Sequence, residues 1–558
     1  MAVPTSTFHL GNSEIARRLA AHAHQLQSQG DNPHKVRAYR RAAQTIKGAR
    51  ESFDQLLRSG ADVTRFPGIG KGIAAALREI VFSGSLGQLE MNLSAVPPEQ
   101  AAANDYPALD SKKVARIFKR FGIGTVPELN AKLEEGAIAA AFGVRMADHV
   151  RFALRDSFEI LLDDADVLAE EMRGFLIDRC GVSRVEVAGE VRRRVEKISE
   201  IVFVVETADF PGMLEKITNF HGGIDLIENV NRHATFQLPG SVRVAIHAAT
   251  ASNWGTAMVV ATGSSAHLEE LEKAGACQRR ARTEARAYSS VGLVWVPPEL
   301  REGRGEVAQA VRGELPRLIE LNDIRGDLHM HTTSSDGVDT IEAMAEAAKE
   351  RKYEYIGITD HSQSLKIARG VSVQNLWTQI RRIDKLNEKG LGIRVLKSAE
   401  VDILTDGSLD YPDDLLAELD YTICSIHLRF GLGKNEQTER IMRAMDHSAF
   451  TILGHATGRL ILHRSGYEID LPRITAHAKA RGCFFEINAD PDRLDLSPDN
   501  VREVAKAGVK VAINTDAHRS AGLDYMRCGI DVARRAGLEK AQVLNTVRLS
   551  RLFGRIRR

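Results

Sequence analysis

Histidines and carboxylates recur at the ends of short apolar runs in the second half of the chain. Seven such runs can be distinguished, and each ends in, or is followed at once by, a side chain that can bind a metal. The candidates are His329, His331, Asp336, Asp360, His361, Glu400, His427, His455, Glu486, Asn488, Asp516 and His518. Imidazole and carboxylate donors without a thiolate favour a reactive Zn, Mn or Fe site over a structural zinc site.

The elements that must position these donors follow a repeating order of strand, loop and helix. The apolar runs predict seven strands, at residues 324–330, 355–359, 393–398, 421–426, 451–454, 483–487 and 510–514. Amphipathic stretches such as 340–351, 373–389 and 499–507 predict helices between them. This pattern favours a barrel of parallel strands, whose C-terminal ends converge on one face. Because side chains at i and i+2 share a face, His329 with His331, and Asp516 with His518, can each aim at one point.

The motifs around these donors resemble those of the PHP (polymerase and histidinol phosphatase) superfamily. They are Asp327-Leu-His-Met-His-Thr-Thr-Ser-Ser-Asp336-Gly, Thr359-Asp-His361, Ser398-Ala-Glu400, Ser425-Ile-His427, Gly454-His455-Ala-Thr-Gly-Arg459 and Asn514-Thr-Asp516-Ala-His518. The resemblance covers about residues 320–558. It implies a distorted seven-stranded α/β barrel that holds up to three divalent ions, Mn or Zn or else Fe. The ligands implied by motif position are His329, His331, Asp336, His361, Glu400, His427, His455, Asp516 and His518.

Such a site suits phosphoester hydrolysis. Divalent metals lower the pKa of a bound water, and a bridging hydroxide can attack phosphorus in line. Among the implied ligands we assign a catalytic role to His329, His331, His361, Asp516 and His518. A guanidinium fork matches phosphate oxygens, which makes nearby arginines candidate phosphate contacts. These are Arg369, Arg429, Arg459 and Arg493.

A glycine-rich turn near the N-terminus predicts a contact with DNA. The segment Phe66-Pro-Gly-Ile-Gly-Lys-Gly-Ile73 has the form of a helix-hairpin-helix turn, in which Gly68 and Gly70 let the backbone approach a phosphate. The basic helix predicted over residues 33–47 favours DNA further, although its charges also suit a solvated face. The further candidate DNA contacts are Lys35, Tyr39 and Lys71.

With these features the whole chain resembles the bacterial family X DNA polymerases that carry a C-terminal PHP domain. Gly189-Glu-Val-Arg-Arg193 stands where the palm binds nucleotide, and Thr262-Gly-Ser264 stands where palm meets thumb. Strands predicted at 184–188, 198–206, 234–238 and 242–248 fit an α+β palm. The implied segments are a helical DNA-binding domain at 1–90, a second and eroded hairpin at 91–150, a degenerate palm and thumb at 151–318, and the PHP domain at 319–558.

The palm departs from the family where two-metal polymerisation needs carboxylates. The family's Asp-x-Asp pair falls on Glu200 and Val202, and its third Asp falls on Ala245. Glu190 replaces a serine that lies beside the triphosphate, where a negative charge is repulsive. We therefore predict an inactive polymerase centre. The alternative is a slipped alignment with surviving polymerase activity.

Three positions of the N-terminal half depart from the family as well. Ala108 and Asp110 replace the glycines of the second hairpin, which weakens that DNA contact. The lyase lysine of some relatives falls at Ala76, so no Schiff base can form there.

Composition sets the outer limits of the function. The chain has 558 residues, too many for one core, and its net charge of +1 names no partner. Its five cysteines form no CxxC pair, which indicates a reducing compartment. No apolar run approaches the roughly 18 residues of a membrane span. We expect a monomer without membrane contact, in the bacterial cytoplasm and associated with the nucleoid.

The sequence thus predicts a metal-dependent phosphoesterase that acts on DNA as a 3′–5′ exonuclease in repair. Its inactive polymerase core would hold the DNA. The alternatives are a small-molecule phosphatase of the histidinol-phosphate type, and a non-catalytic DNA-binding scaffold whose metals are structural.

Overall fold

The computed structural model describes residues 51–83, 111–151 and 159–556, together with single positions between 10 and 49. Short gaps within these ranges lie at residues 67, 144–145, 148–149, 219, 221–223, 239–241 and 276–278. The chain divides into two compact units. Unit 1 comprises Met1–Val191, Lys197–Ala251 and Leu462–Arg464, and unit 2 comprises Arg192–Glu196, Ser252–Ile461 and Ser465–Arg558. The four segment boundaries drawn from the sequence stay a prediction.

The first part of unit 1 is helical, as the sequence predicts. The described positions between Asn12 and Ile46 are all helical. The later helices of this part of the chain are α1 (Phe53–Arg58), α2 (Lys71–Ser83), α3 (Ser111–Phe121), α4 (Val126–Glu134), α5 (Ala137–Phe142), α6 (Leu162–Asp178), α7 (Gly189–Arg192) and α8 (Phe210–Ile217). The second hairpin turn, with Ala108 and Asp110, lies outside the described residues.

A five-stranded sheet forms the rest of unit 1. The strands of this region are β1 (Ile160–Leu161), β2 (Arg184–Ala188), β3 (Lys197–Ile198), β4 (Glu200–Glu206), β5 (Asp225–Val230), β6 (His233–Gln237) and β7 (Arg243–Ala249). The sheet order is β2-β4-β7-β6-β5, and β1 pairs separately with β3. β4 and β7 are parallel, and the other pairs are antiparallel. The predicted palm strands are therefore confirmed, and β5 is an edge strand that the sequence did not predict.

Unit 2 begins with four short helices that pack on one another. They are α9 (Trp254–Thr262), α10 (Ser265–Lys273), α11 (Glu284–Ser289) and α12 (Glu306–Arg312). Their core contains Leu271, Tyr288 and Val296. A buried hydrogen-bond network joins three of the elements, since His267 lies 2.6 Å from Glu306 through Nδ1 and 2.9 Å from the Tyr288 hydroxyl through Nε2.

The remainder of unit 2 alternates strands and helices. Its strands are β8 (Gly326–Asp327), β9 (Tyr355–Ile358), β10 (Arg394–Lys397), β11 (Glu400–Asp402), β12 (Ile423–Ser425), β13 (Ile452–Leu453), β14 (Phe484–Asn488) and β15 (Val511–Asn514). Its helices are α13 (Ile341–Glu350), α14 (Val373–Glu388), α15 (Asp413–Leu416), α16 (Lys434–Met445), α17 (Leu471–Arg481), α18 (Pro498–Lys506), α19 (Met526–Arg535) and α20 (Leu549–Ile556). The run predicted at 393–398 is followed at once by the extra strand β11.

These strands form a closed parallel barrel. β8, β9 and β10 make one sheet and β11 to β15 make another, with parallel pairing throughout. Two parallel bridges join the sheets, one between His361 and Glu400 and one between Met330 and Ala517. We call these two bridges the seams of the barrel. The predicted multidomain fold, with a helical N-terminal region and a C-terminal PHP-type barrel, is confirmed.

The barrel interior is apolar on one side of the donor-bearing strand ends. Leu328, Tyr355 and Ile423 are fully buried there. The Tyr421 hydroxyl donates to the Leu328 carbonyl at 2.6 Å, and Gly357 leaves room for that ring, because a Cβ there would lie 1.6 Å from the hydroxyl oxygen. Helix α20 adds Leu552 and Ile556 to the same core. Across the described residues, no helix combines the length and the hydropathy that crossing a bilayer needs.

Candidate metal centre

The first two donors follow β8 and point to the same place. His329 and His331 are both fully buried, and their Nε2 atoms lie 3.2 Å apart. His329 Nδ1 lies 2.7 Å from Glu486 Oε1, so this ring presents Nε2 to the centre. His331 Nε2 lies 2.9 Å from Asp516 Oδ1, which comes from the segment after β15. The i and i+2 pairing predicted from the sequence is therefore present.

Glu400, at the start of β11, is the hub of the centre. Its carboxylate oxygens lie 2.8 Å from His361 Nδ1, 2.8 Å from His455 Nε2, 3.3 Å from His427 Nε2 and 3.5 Å from His329 Nε2. Burial opposes ionisation of this carboxyl. The surrounding imidazoles of His427, His361 and His329 outweigh burial and hold its pKa well below the usual range. An ionised, buried carboxylate facing several imidazoles is a strong cation site.

Asp336 and His518 form the outer edge of the centre. The Oδ1 atom of Asp336 lies 3.4 Å from His518 Nε2 and 3.7 Å from His331 Nδ1, and its Oδ2 atom lies 3.5 Å from His361 Nε2. Burial raises the pKa of Asp336, but its hydrogen bonds to His361 and His518 lower that pKa far more. The side chains of Asp336 and His518 keep 31% and 40% of their surface exposed, so the centre is reached from this edge.

The donors form three overlapping groups, and within each group the donor atoms lie within 4.8 Å of one another. The groups are His331-Asp336-His361-His518, His329-His331-Asp516 and His361-Glu400-His427. His331 and His361 each belong to two groups. His455 joins through its contact with Glu400. All nine predicted ligands thus lie in one cluster.

Four buried atoms of the cluster test whether these residues fit metal ions. His331 Nδ1, His361 Nδ1, His455 Nδ1 and Glu400 Oε2 have no hydrogen-bond partner within the described part of the chain. Buried polar atoms are normally hydrogen-bonded, and leaving one unpaired costs about 1–3 kcal/mol. Donor atoms that face one another at contact distance without a hydrogen-bond geometry are what divalent ions satisfy. The residues therefore fit a metal centre.

The backbone is strained at two of the donors. His455 has a φ of 23° and Asp516 has a φ of 54°, both in the left-handed region that favours glycine. Hydrogen bonds hold these conformations, since the His455 amide donates to Glu486 Oε2 at 2.8 Å and the Asp516 amide donates to the His329 carbonyl at 2.9 Å. Strain kept at a polar cluster is typical of a functional site.

Three further residues orient the donors. Asp402 Oδ1 lies 2.9 Å from His427 Nδ1, so His427 presents Nε2 to Glu400. Glu486 binds His329 Nδ1 and the amide of His455, and Asn488 donates to Asp516 Oδ2 at 3.0 Å. The sequence marked Glu486 and Asn488 only as candidate ligands and gave no role to Asp402. The position of Asp402 two residues after Glu400, on the same strand face, was the available signal.

The four predicted phosphate contacts divide into two kinds. Arg369 and Arg429 are exposed and have positive φ values of 58° and 61°. The Arg493 Nε lies 3.6 Å from Asp516 Oδ2, beside the donors. The Arg459 guanidinium is engaged by the Glu196 carboxylate and by the carbonyl of Arg493. Arg493 therefore contacts one of the predicted ligands directly.

The palm sheet places Glu200, Val202 and Ala245 on one face. Val202 pairs directly with Ala245 across β4 and β7, and Glu200 lies two residues before Val202. Val202 and Ala245 are buried. Glu190 accepts hydrogen bonds from the amides of Ser199 at 2.7 Å and of Glu200 at 3.3 Å. This face thus carries one carboxylate and two apolar side chains, and Glu190 fixes the start of β4.

Two aspartates further along the chain, which a slipped palm alignment could use, do not lie on this face. Asp209 caps helix α8 through the amide of Gly212, and Asp225 lies on the exposed edge strand β5.

The predicted DNA contacts lie around the first hairpin. Gly68 has a φ of 79°, which makes the turn before α2. Within the part of the chain that the structure describes, a Cβ at Gly70 would meet no atom within 4 Å, which leaves room for a ligand to approach this backbone. Lys35 and Lys71 are exposed, whereas Tyr39 is half-buried and its ring packs edge-on against His22 at 4.7 Å.

Comparison with known proteins gives matches at both ends of the chain. A helix-hairpin-helix domain model matches residues 10–86, and a PHP domain model matches residues 327–490. The chain is 31% identical over 231 residues to a probable phosphatase of Thermoanaerobacter sp. (strain X514), which covers 39% of this chain and 89% of that protein. It is 25% identical over 230 residues to a probable phosphatase of Syntrophotalea carbinolica, covering 39% and 90%.

One relative matches almost from end to end. The chain is 33% identical over 560 aligned residues to the DNA polymerase/3'-5' exonuclease PolX of Bacillus subtilis (strain 168). The match covers 95% of this chain and 97% of that protein. The protein therefore belongs to the bacterial family X DNA polymerases that carry a C-terminal PHP domain.

Proposed function

We propose that the chain is a metal-dependent phosphoesterase that digests DNA from the 3′ end and serves in DNA repair. The observation that carries this proposal is the cluster of nine imidazole and carboxylate donors with unpaired buried atoms. The description of the Bacillus subtilis relative as a 3'-5' exonuclease supports DNA as the substrate and the 3′ end as the start. The protein would act as a monomer in the cytoplasm, near the nucleoid.

The proposed ligands are the nine predicted residues, with up to three ions of Mn, Zn or Fe. Bound divalent ions supply a hydroxide nucleophile and neutralise charge on the phosphoryl oxygens. Glu486 and Asp402 keep His329 and His427 turned toward the centre. Arg493 would hold the phosphate, and the exposed Arg369 and Arg429 would hold the next phosphates of the strand.

We further propose that the polymerase centre is inactive and that the N-terminal half holds DNA. Val202 and Ala245 give the palm face no carboxylate at two of three positions. The uncrowded backbone at Gly70, with Gly68 and Lys71 beside it in the sequence, supports a phosphate contact at the first hairpin. Lys35 and Tyr39, on the preceding basic segment, are proposed as further DNA contacts. In this proposal residues 1–90 and 91–150 bind DNA, 151–318 form the scaffold and 319–558 carry the chemistry.

The test uses the purified full chain with Mn²⁺ and a DNA duplex labelled near one 3′ end. The double variant His329→Ala/His331→Ala should digest it about 10³-fold more slowly, because the charge stabilisation of the transition state is lost. A matched control is His447→Ala/His477→Ala, which removes two histidines that bind Asp413 and Asp446 outside the centre. The proposal fails if both double variants digest DNA equally, or if no metal supports digestion.

A second candidate is a small-molecule phosphatase of the histidinol-phosphate type. The matches to probable phosphatases, which cover the barrel but not the N-terminal half, favour it. The relative turnover of nucleotide-free phosphate monoesters and of DNA separates the two functions. A higher kcat/KM on the monoester would favour this candidate.

A further inference from the structure

The segment Arg192–Glu196 connects the palm motif to β3, yet it belongs to unit 2 with the barrel. Arg194 Nε donates to Asp531 Oδ2 at 2.8 Å, and the Arg193 carbonyl accepts from Arg535 Nη1 at 2.6 Å. Both partners lie on α19. Arg193, the last residue of the motif that stands where a family X palm binds nucleotide, is thus bonded to α19.

Glu196, the last residue of this segment, pairs with Arg459 in the loop that follows His455. Its carboxylate accepts from both Nη atoms of Arg459, with a distance of 3.1 Å from Nη1 to Oε2. The same guanidinium donates through Nε to the Arg493 carbonyl at 2.9 Å and through Nη2 to the Leu494 carbonyl. A bidentate, charge-assisted pair of this kind fixes both distance and orientation.

Arg459 joins two loops that bear residues of the centre. It lies four residues after His455, and the carbonyls it binds belong to the loop that follows Asn488. The Thr457 amide and hydroxyl donate to Asp495 at 3.0 and 2.9 Å, which ties the same loops together a second time. The position of Arg493 beside Asp516 therefore depends on a network that Glu196 completes.

We propose that Glu196, from outside the barrel, is a positioning residue for phosphate binding at the metal centre. It holds Arg459, Arg459 holds the backbone of Arg493, and the Arg493 guanidinium then faces the phosphate beside Asp516. This inference rests on the proposed function in that a phosphate ester is the ligand of the centre.

The chain offers a matched control for a merely structural role. The Arg194–Asp531 pair joins the same segment to the same barrel, and its side chains are as buried as those of Glu196 and Arg459. Asp531 lies on α19 and belongs to neither of the two loops. Arg194→Met should therefore cost stability without changing phosphate binding.

The experiment measures the affinity of the Mn²⁺-loaded full chain for inorganic phosphate by calorimetry, and kcat and KM on DNA. Glu196→Gln should weaken phosphate binding and raise KM about tenfold, with little change in kcat, because a misplaced Arg493 loses charge-assisted hydrogen bonds to the phosphate. Arg493→Met should show the same loss. Glu196→Gln should add nothing in the Arg493→Met background, because the two residues act through one contact.

Three outcomes overturn the inference. Glu196→Gln and Arg194→Met could change phosphate affinity alike, the effects of Glu196→Gln and Arg493→Met could add, or the wild-type chain could fail to bind phosphate. Thermal unfolding of each variant checks that folding is not the cause. If the chain binds phosphate in a Glu196-dependent way but does not digest DNA, the proposed function fails and this inference stands.

Discussion

The barrel and the palm sheet both offer a face on which side chains from neighbouring strands can converge, but they use it differently. At the barrel, nine donors meet and four of their buried atoms lack a hydrogen-bond partner in the described chain. At the palm, the corresponding face carries Glu200 two residues before the directly paired Val202 and Ala245, which are both buried and apolar. Converging strands give only the opportunity for a site, and the side chains decide whether a costly polar cluster is kept.

Removal of the hub of the barrel centre is the strongest test of this contrast. Glu400→Ala should abolish metal loading and lower phosphoester hydrolysis about 10³-fold, since Glu400 faces four imidazoles. Metal content by elemental analysis and turnover with Mn²⁺ measure the effect. Glu503→Ala, on the exposed face of α18, is the control. Unchanged metal content in Glu400→Ala would contradict the assignment of this cluster.

The reverse change tests the palm. Val202→Asp/Ala245→Asp places two carboxylates on a buried face, and we expect a loss of about 3–5 kcal/mol in the free energy of unfolding, because the charges are uncompensated. Primer extension with four nucleotides should stay absent, since Glu190 remains beside the triphosphate position. Val230→Asp on exposed β5 is the control for stability. Template-dependent extension by the double variant would contradict this contrast, because it would show that two carboxylates are all that the palm needs for polymerase activity.

Loss of the carboxylate that binds an arginine of the palm motif should lower the stability by an intermediate amount. Arg192, within the motif that stands where a family X palm binds nucleotide, donates to both oxygens of Glu284 at 2.6 and 2.8 Å, and Arg301 donates to Glu284 at 2.7 Å. Burial raises the pKa of Glu284, but these arginines outweigh it and lower the pKa from 4.5 to about 2. The charge of Glu284 therefore contributes stability, about 3 kcal/mol by linkage.

That contribution has a defined pH window. Because the pKa is lower in the folded state, the contribution is complete above pH 4.5, declines as pH falls and is lost near pH 2. Glu284→Gln should lower the unfolding midpoint at pH 7, and its difference from the wild type should shrink between those two values. Differential scanning calorimetry at a series of pH values measures this. A difference that does not depend on pH would show that the charge of Glu284 contributes nothing.

The smallest effect should come from changes to residues that orient the metal ligands through hydrogen bonds. Glu486→Gln weakens the support of His329, and loss of such support costs about 10–100-fold in metal affinity or activity. Glu306→Gln is closely matched, because Glu306 is also buried, lies 2.6 Å from a histidine Nδ1 and accepts backbone amides. It should lower stability and leave turnover unchanged. Equal turnover losses in both variants would show that Glu486 contributes to stability alone and does not orient a metal ligand.

The sequence predicted best where chemistry forces a pattern. The order of barrel strands and all nine clustered donors followed from apolar runs that end in donors, and from motifs. Strand β5 was missed because its residues from Asp225 to Val230 are all exposed, so no alternation marks a buried face. Strand β11 was missed because the break between Lys397 and Glu400 spans only two residues.

The individual contacts of polar residues outside the predicted ligand set could not be derived from the sequence. The sequence assigned Arg459 to a substrate phosphate, but its guanidinium binds Glu196, which lies 263 positions away. The contact of Asp402 with His427 depends on the register of β11 against β12, which no local pattern specifies. Roles of single polar residues thus need the fold, even where the site as a whole does not.

The seams of the barrel couple the closure of the strands to the position of the metal donors. One seam pairs His361 with Glu400, and the other pairs Met330, between two donors, with Ala517, between two more. The backbone that closes the barrel therefore also carries the donors, so a shift of either seam would move donors as well as strands. The palm face has no such coupling, because Val202 and Ala245 contribute apolar packing alone. An ion held by the barrel donors would thus also hold the two sheets together at the seams, whereas the palm face packs through apolar side chains.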